Sequence, residues 1–293
     1  MVKERNEPMH RLNRGSTLRS LLGPVLAAFM AVLAAASAAA GDRTEADAVT
    51  LPLREAVYAH ALDEAGVYAL HANTLERIGV EVSDGIEAHR ARALAHYYLG
   101  RWHQAIKTRA EMVEYATVLR KERYLALRRF YLERDQAMAA YRNARAEAET
   151  YLASRPDAEA HRLYGEILGQ MLFLGDAGDV MSIGRKARKN VKAALELDPT
   201  LPKALIQEAS RMAYTPLSYG GDPQDARALY REILRGGVDD REDLFNIYGG
   251  FGMAAFAEFK DEEALSWFEE AAAVYPGNVF AAGMADYLRG EPQ

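Results

Sequence analysis

The chain has 293 residues, of which 49% are hydrophobic and 27% charged, a balance typical of a globular protein that buries a core. Its formal net charge is -6, because 36 Lys and Arg residues are outnumbered by 42 Asp and Glu residues, so no overall basic surface favours nucleic acid. Cysteine is absent from the sequence, which excludes disulfides, thiolate metal sites, a cysteine nucleophile and a lipidated cysteine.

Residues 1–40 have the layout of a signal peptide. Basic residues precede an apolar, alanine-rich run at residues 21–36, and small residues then follow at cleavage spacing. We therefore expect cleavage near Ala38 or Ala40 and a periplasmic or secreted mature protein. The alternative is an uncleaved membrane anchor, because residues 21–40 are about long enough to span a bilayer.

Residues 41–85 are predicted to form a polar leader and one helix. Pro52 suits the first turn of that helix, and apolar residues recur after it at helical spacing. Asp84 and Glu87 fit a capping box, which predicts that the next helix begins there. We assign residues 86–293 to a separate helical-repeat domain.

The middle of the chain favours long helices. No glycine or proline occurs between Gly100 and Pro156, and alanine, leucine, arginine and glutamate dominate this stretch. A turn within it is still possible at residues 133–136. No segment shows the sustained alternation of apolar and polar residues that strands require. The predicted fold class is all-α.

A 34-residue helix-turn-helix period fits the C-terminal region. The matching positions are Tyr248, Phe251, Gly252 and Ala255 on a first helix, then Ala264, Phe268 and Ala271 on a second, followed by Pro276. A small residue is needed at Gly252 and Ala264, because the two helices of a hairpin touch there.

The same frame recurs upstream. One copy has Tyr164 and Gly165 on its first helix and Ala187, Val191 and Ala194 on its second. Another has Leu205, Ala209 and Met212, then Ala226, Tyr230 and Ile233. A weaker copy is predicted to place a turn at residues 99–102 and to open its second helix at Ala105.

This pattern resembles the tetratricopeptide repeat (TPR) family over residues 87–278. The chain is also similar to exported TPR-like proteins found beside periplasmic solute transporters of the TRAP type. The resemblance implies stacked antiparallel helical hairpins that curve into a right-handed superhelix, or solenoid, with a concave groove. Residues expected near that groove are Tyr164, Glu208, Met212, Tyr248 and Phe251.

The turn between the helices of the third copy is unusually long. Asp222 is expected to cap the following helix and Pro223 to occupy its first position. A lengthened turn that carries Tyr214 and Tyr219 is also a place for functional elaboration. We therefore count Tyr214, Tyr219 and Asp222 among the candidate binding residues.

Three patterns in the sequence resemble sites that carry chemistry. Residues 250–255 match the dinucleotide-binding fingerprint, but they complete a helical repeat and follow no strand. His89, His96 and His103 are seven residues apart, too far apart on one helix to share a metal ion. A basic run between Arg120 and Arg134 is interpreted as the solvated face of a helix. We predict no catalytic, cofactor-binding or metal-binding residue.

The sequence thus predicts a non-catalytic, exported scaffold that binds a protein, a peptide or a small molecule in the cell envelope, without nucleic acid. Contact with the membrane is expected only through an uncleaved signal segment. One alternative is an accessory ligand-binding component of a periplasmic solute-uptake system. Another is a cell-envelope enzyme built on a helical scaffold.

Overall fold

Helices account for nearly all of the computed structural model, which describes residues 44–121, 124–175, 177–217 and 220–290. Over these residues the chain forms twelve α-helices and one 3-10 helix, and no strand, so the all-α prediction is confirmed. The α-helices are α1 (Glu45–Tyr58), α2 (Glu64–Glu81), α3 (Gly85–Gln104), α4 (Arg109–Arg120), α5 (Arg134–Ser154), α6 (Ala158–Leu174), α7 (Ala177–Leu197), α8 (Pro202–Tyr214), α9 (Pro223–Arg235), α10 (Arg241–Ala257), α11 (Asp261–Val274) and α12 (Val279–Arg289). The 3-10 helix spans Tyr124–Phe130. The predicted signal peptide lies outside the described residues.

Short polar side chains start most of these helices. Asp84 caps α3 by accepting from the Ile86 backbone N–H at 2.8 Å, so the helix begins where the sequence predicted. The capping box itself does not form, because Glu87 pairs with Arg155 and Arg90. Asp222 caps α9, and Pro223 occupies the first turn. Such caps satisfy backbone N–H groups that have no partner inside the helix. Among the described helices, none combines the length and apolar character needed to cross a membrane.

Helices α6 to α11 pack as three consecutive antiparallel pairs. The contact between α6 and α7 is close at Gly165, where a Cβ would lie 3.0 Å from the Val191 side chain. In the α10/α11 pair, a Cβ on Gly252 would lie 2.8 Å from the Phe268 ring. The predicted need for a small residue at Gly252 is confirmed. Between these pairs, α8 and α9 share a core that includes Ala209 and Tyr230.

Two local predictions near the N-terminus were wrong. The proposed turn at residues 99–102 lies inside the continuous helix α3, because Gly100 serves a helix contact: its Cβ would lie 2.5 Å from the Tyr141 ring of α5. Helix α3 therefore pairs with α5, and α4 is inserted between them. Pro52 was expected in the first turn of a single helix, but it lies in the interior of α1, which already begins at Glu45. The predicted single helix is also interrupted near its middle at His60, whose φ is 49°, so this segment forms the two helices α1 and α2.

The N-terminal helices contact the C-terminal ones. Met112 of α4 packs directly against Gly283 of α12. A Cβ added to Gly283 would lie only 2.5 Å from the Met112 side chain, so the contact requires glycine. On α1, Tyr58 packs against Phe245 and Tyr275 at ring-centroid distances of 5.5 and 5.4 Å. The described residues thereby form one compact unit in which the array of helices closes on itself.

Two neighbouring glycines of α10 provide a matched test of this packing. A Cβ on Gly250 would lie 2.1 Å from the Tyr230 hydroxyl, whereas one on Gly249 would make only ordinary contacts at 3.6 Å and beyond. Both substitutions to alanine gain helix propensity of about 1 kcal/mol. We expect Gly250→Ala to lower the free energy of unfolding by about 1–3 kcal/mol, because it overpacks the contact between α9 and α10. Gly249→Ala should be neutral or stabilising in the same urea titration, and equal effects would contradict this packing.

Candidate binding site in the interior

Helix α1 brings a charged face into the middle of the array. The Arg54 guanidinium donates to Asp240 at 2.9 Å, at the start of α10. Its neighbour Glu55 accepts from Arg241 at 2.5 Å and from the Tyr275 hydroxyl at 2.9 Å. These bonds attach α1 to the helices at the far end of the chain by polar contacts.

Glu242 is the centre of the ion network on this face. Its carboxylate accepts from the Tyr58 hydroxyl at 3.0 Å, the Tyr98 hydroxyl at 3.1 Å, Lys203 at 3.4 Å and Arg54 at 3.5 Å. Burial works against the charged form, but Lys203 and Arg54 outweigh it and lower the pKa of Glu242. The carboxylate is therefore ionised at neutral pH, and four donors from α1, α3 and α8 compensate it.

A second group of charges lies around Arg162 of α6. This guanidinium binds Glu159 at 2.7 Å and also pairs with Glu166. Arg90 of α3 approaches Glu159 at 3.3 Å and binds Asp47 of α1 at 2.8 Å. Burial opposes ionisation of Glu159, yet Arg162 and Arg90 lower its pKa to about 2.

These two groups of charges line one cavity of about 50 Å³, which is partly open to solvent and has room for a few water molecules. Its wall carries four cationic and five acidic side chains. The lining residues are Asp47, Arg54, Arg90, Leu94, Tyr97, Tyr98, Glu159, Arg162, Glu166, Lys203, Ile206, Gln207, Glu242, Asp243 and Asn246. Arg54 Nε and Gln207 Oε1 are buried without a hydrogen-bond partner among the described residues, so the wall retains a donor and an acceptor for a guest.

Asp243 differs from the other acids of this wall. Burial raises its pKa to about 6, with help from the negative charges of Glu242 and Asp240, although Lys203 donates to it at 2.6 Å. Glu159, on the opposite side of the network, has a pKa of about 2. The cavity therefore brings together carboxyl groups whose pKa values are displaced in opposite directions.

The residues predicted for the groove lie outside this cavity wall. Tyr164 is buried and donates to Glu149 at 2.6 Å, and Glu208 binds Arg211 at 2.6 Å within α8. Met212 packs on the core that α8 shares with α9. Tyr248 stacks on Trp267 at 5.9 Å.

The loop residues have separate positions. Asp222 accepts from the backbone N–H groups of Gln224 and Asp225 at 3.1 and 3.0 Å, which is a structural capping role. Tyr214, at the end of α8, is partly exposed. Tyr219 lies outside the described residues. A ligand-binding role for Tyr214, Tyr219 and Asp222 stays a prediction.

Sequence reasoning missed Arg54, Lys203 and Glu242. Charged residues on alanine-rich helices have the spacing of solvated faces, and α1 was assigned to a leader outside the repeat domain. The only local signal was the acidic cluster at residues 240–243, which also serves to cap α10 through Asp240. The donors to Glu242 come from as far as 188 residues away in the sequence, which is its separation from Arg54.

The spaced histidines contact different partners. His89 binds Glu147 and His103 binds Glu133, both at 2.6 Å, whereas His96 lies 3.2 Å from His71. Within the described ranges, no group of three or more ligand-type side chains could hold a metal ion.

Comparison with known proteins adds no relative. No protein-family model matches the chain, and no curated protein is significantly similar to it. Its function therefore has to be inferred from the interior itself.

The network around Glu242 yields a stability prediction. Glu242→Gln removes the buried negative charge that Arg54 and Lys203 share, and breaking a buried ion pair from one side costs about 3–5 kcal/mol. We expect a loss of that order in the free energy of unfolding at pH 7, measured by urea titration. Glu270→Gln, an exposed acid of α11, is the control and should change stability by less than about 0.5 kcal/mol. A similar small effect at Glu242 would contradict the network.

Glu159 yields a pH prediction. Its pKa is about 2 in the folded protein against an ordinary value of 4.5, so its contribution is present above about pH 4.5 and is lost as the pH falls towards 2. We expect Glu159→Gln to cost about 1–3 kcal/mol at pH 7 and progressively less between pH 5 and pH 2.5. Unfolding titrations at pH 7, 5, 4 and 3 measure this difference. A constant difference across the series would show that charge is not its cause.

Proposed function

We propose that the mature chain is a non-catalytic, exported, TPR-like protein of the cell envelope, and that the interior of its helical array is a binding site. The repeat assignment is supported by the close helix contacts at Gly165 and Gly252, which occur at the small positions of the predicted hairpins. Export is inferred from the layout of residues 1–40. Stacked hairpins of this kind present inner surfaces that bind without performing chemistry.

The position of α1 decides which class of ligand we favour. A peptide that lies along the inner surface would have to displace α1 and leave Glu55 and Glu242 without several of their donors. Leaving such buried charges unpaired is costly. A small molecule needs no such displacement. We therefore favour the accessory, small-ligand role in solute uptake over a peptide-binding scaffold.

An enzyme of the cell envelope is the second candidate, and one observation favours it. Asp243 and Glu159 line one cavity with pKa values of about 6 and about 2, and such separation often accompanies acid-base chemistry. The cavity admits only a few waters, however, and both carboxylates are held by cations. We therefore rank binding above catalysis.

Native mass spectrometry of the protein purified from the envelope fraction of its host tests the proposal. We expect a mature N-terminus near residues 39–41 and a bound small molecule that is lost after unfolding and refolding in buffer. A refolded sample is the matched control, because it has the same chain without host ligands. An intact Met1 in the cytosolic fraction, with neither ligand nor partner bound, would contradict export and binding together.

The same preparation separates binding from catalysis. The recovered ligand is returned to the refolded protein and its mass is followed over hours. A binding protein releases it chemically unchanged. Conversion by the wild type but not by Asp243→Asn would establish the enzyme instead.

A further inference from the structure

The charges around the cavity contain more acids than cations. Each of the two groups has three acids and two cations. The first consists of Asp240, Glu242, Asp243, Arg54 and Lys203. The second consists of Asp47, Glu159, Glu166, Arg90 and Arg162. Two further acids touch these cations, but Glu55 and Glu87 have cations of their own in Arg241 and Arg155. A positive charge from outside the chain would therefore be compensated in this cavity, and a negative one would not.

Asp243 is the least compensated acid of the cavity wall. Its side chain is buried, and its Oδ1 accepts from Lys203 of α8 at 2.6 Å. Its Oδ2 accepts no hydrogen bond from any residue that the structure describes, because Arg54 of α1 and Tyr98 of α3 donate to the neighbouring Glu242 instead. A buried carboxylate with one oxygen unused can accept from a donor inside the cavity.

Gln207 of α8 adds a neutral acceptor to the same wall. Its amide nitrogen donates to Glu166 Oε2 at 3.2 Å and to the Arg162 carbonyl at 3.3 Å. Because both of these partners are acceptors, they fix the orientation of the amide. The opposite end, Oε1, is buried and has no donor among the described residues. A buried acceptor in this state is costly, so Gln207 also calls for a donor in the cavity.

Arg54 offers one donor that the charge network does not use. Its terminal nitrogens bind Asp240, Glu242 and Glu55. Its Nε is buried without an acceptor among the described residues. A single oxygen atom on a guest would satisfy this N–H, and a neutral oxygen would do so without adding negative charge to the wall.

The size of the cavity restricts the guest. A volume of about 50 Å³ corresponds to roughly three to five non-hydrogen atoms, since one water needs about 10–15 Å³ of such volume. Two side chains of the wall, Asp47 and Lys203, remain 38% and 32% exposed. A small molecule therefore reaches the cavity from solvent without displacement of a helix.

We propose that this cavity binds a small protonated amine that also carries a neutral oxygen, as an amino alcohol does. The ammonium group has three donors, which serve Asp243 Oδ2 and Gln207 Oε1, and it supplies the missing positive charge. The oxygen accepts from Arg54 Nε. A carboxylic acid would add negative charge to an acidic wall, and an amino acid would add no net charge. This inference rests on the proposed binding function and names its ligand class.

Titration calorimetry of the refolded protein tests the ligand class with probes of similar size. Ethanolamine carries the amine and the oxygen, ethylene glycol is its neutral counterpart, ethylamine lacks the oxygen, and acetate has the opposite charge. Sodium chloride keeps the ionic strength constant. We expect ethanolamine to bind, ethylamine to bind more weakly, and the other two probes to show no measurable binding. Ethylene glycol or acetate binding as tightly as ethanolamine, or no probe binding at all, would overturn the proposal and leave a hydrated cavity only.

Three variants locate the site. Asp243→Asn removes the charge and Gln207→Met removes the neutral acceptor, and both nearly preserve side-chain shape. Glu270→Gln removes one negative charge from the exposed face of α11 and is the control. We expect ethanolamine to bind roughly tenfold to a hundredfold more weakly to Asp243→Asn, about twofold to tenfold more weakly to Gln207→Met, and equally to Glu270→Gln. Equal affinity of Asp243→Asn and wild type would overturn the proposal.

The stability of ligand-free Asp243→Asn is an independent readout. The variant removes an acid that is in excess, and Lys203 keeps Glu242 at 3.4 Å and Asp240 at 3.8 Å. We therefore expect an unchanged or higher melting temperature. A strongly lowered melting temperature would show that Lys203 depends on Asp243 and would contradict the excess of negative charge.

The pH dependence of binding reports on the same carboxyl group. Asp243 faces Lys203 of α8 and, on its own helix, Glu242 and Asp240; burial and these two acids raise its pKa to about 6. An aliphatic amine stays protonated between pH 5 and pH 7, whereas Asp243 loses its charge as the pH falls through 6. We expect ethanolamine to bind about tenfold more weakly at pH 5 than at pH 7. Equal affinity at both pH values would overturn the assignment of the ammonium group to Asp243.

Native mass spectrometry of Asp243→Asn from the host separates this inference from the proposed function. A wild type that carries a small amine and a variant that lacks it would support both. A ligand retained equally by both proteins, or one without an amine, would overturn the amine site alone. A wild type with no ligand and no response to the probes would contradict both.

Discussion

The buried carboxylate of Glu242 constrains the whole interior. An ionised acid cannot remain in a protein core without donors, and its donors come from Arg54 and Tyr58 of α1, Tyr98 of α3 and Lys203 of α8. Helices that are distant in sequence must therefore meet around one side chain. This requirement brings α1, α3 and α8 together at the start of α10.

The interior that results is polar and largely filled. Four cationic and five acidic side chains surround a cavity of about 50 Å³, and α1 contributes Asp47 and Arg54 to its wall. Charge pairing satisfies most of the wall, and none of the residues predicted for the groove lines this cavity. Arg101 lies outside this wall, and its guanidinium is near the Tyr58 ring without a hydrogen-bond acceptor among the described residues.

Two glycines with the same structural role, Gly252 and Gly100, were interpreted differently from the sequence. Gly252 was correctly assigned to a close helix contact, because the residues around it complete a repeat and Phe268 follows at the expected distance along the chain. Gly100 has the same physical role against Tyr141, yet it was assigned to a turn, because the inserted helix α4 places its partner helix far from the repeat period. Pro52 was misassigned to a first helical turn, because α1 already begins at Glu45.

The sequence by itself determined the all-helical class, the caps at Asp84 and Asp222, and the hairpins from α6 to α11. These features depend on interactions between residues within one or two helices, so spacing and residue type are sufficient to reveal them. Only the tertiary structure decided that α1 enters the interior, that Glu242 joins four helices, and that Arg101 lacks a partner. Pairing of charges depends on distance in space, and no local pattern encodes which of 36 basic and 42 acidic residues will meet.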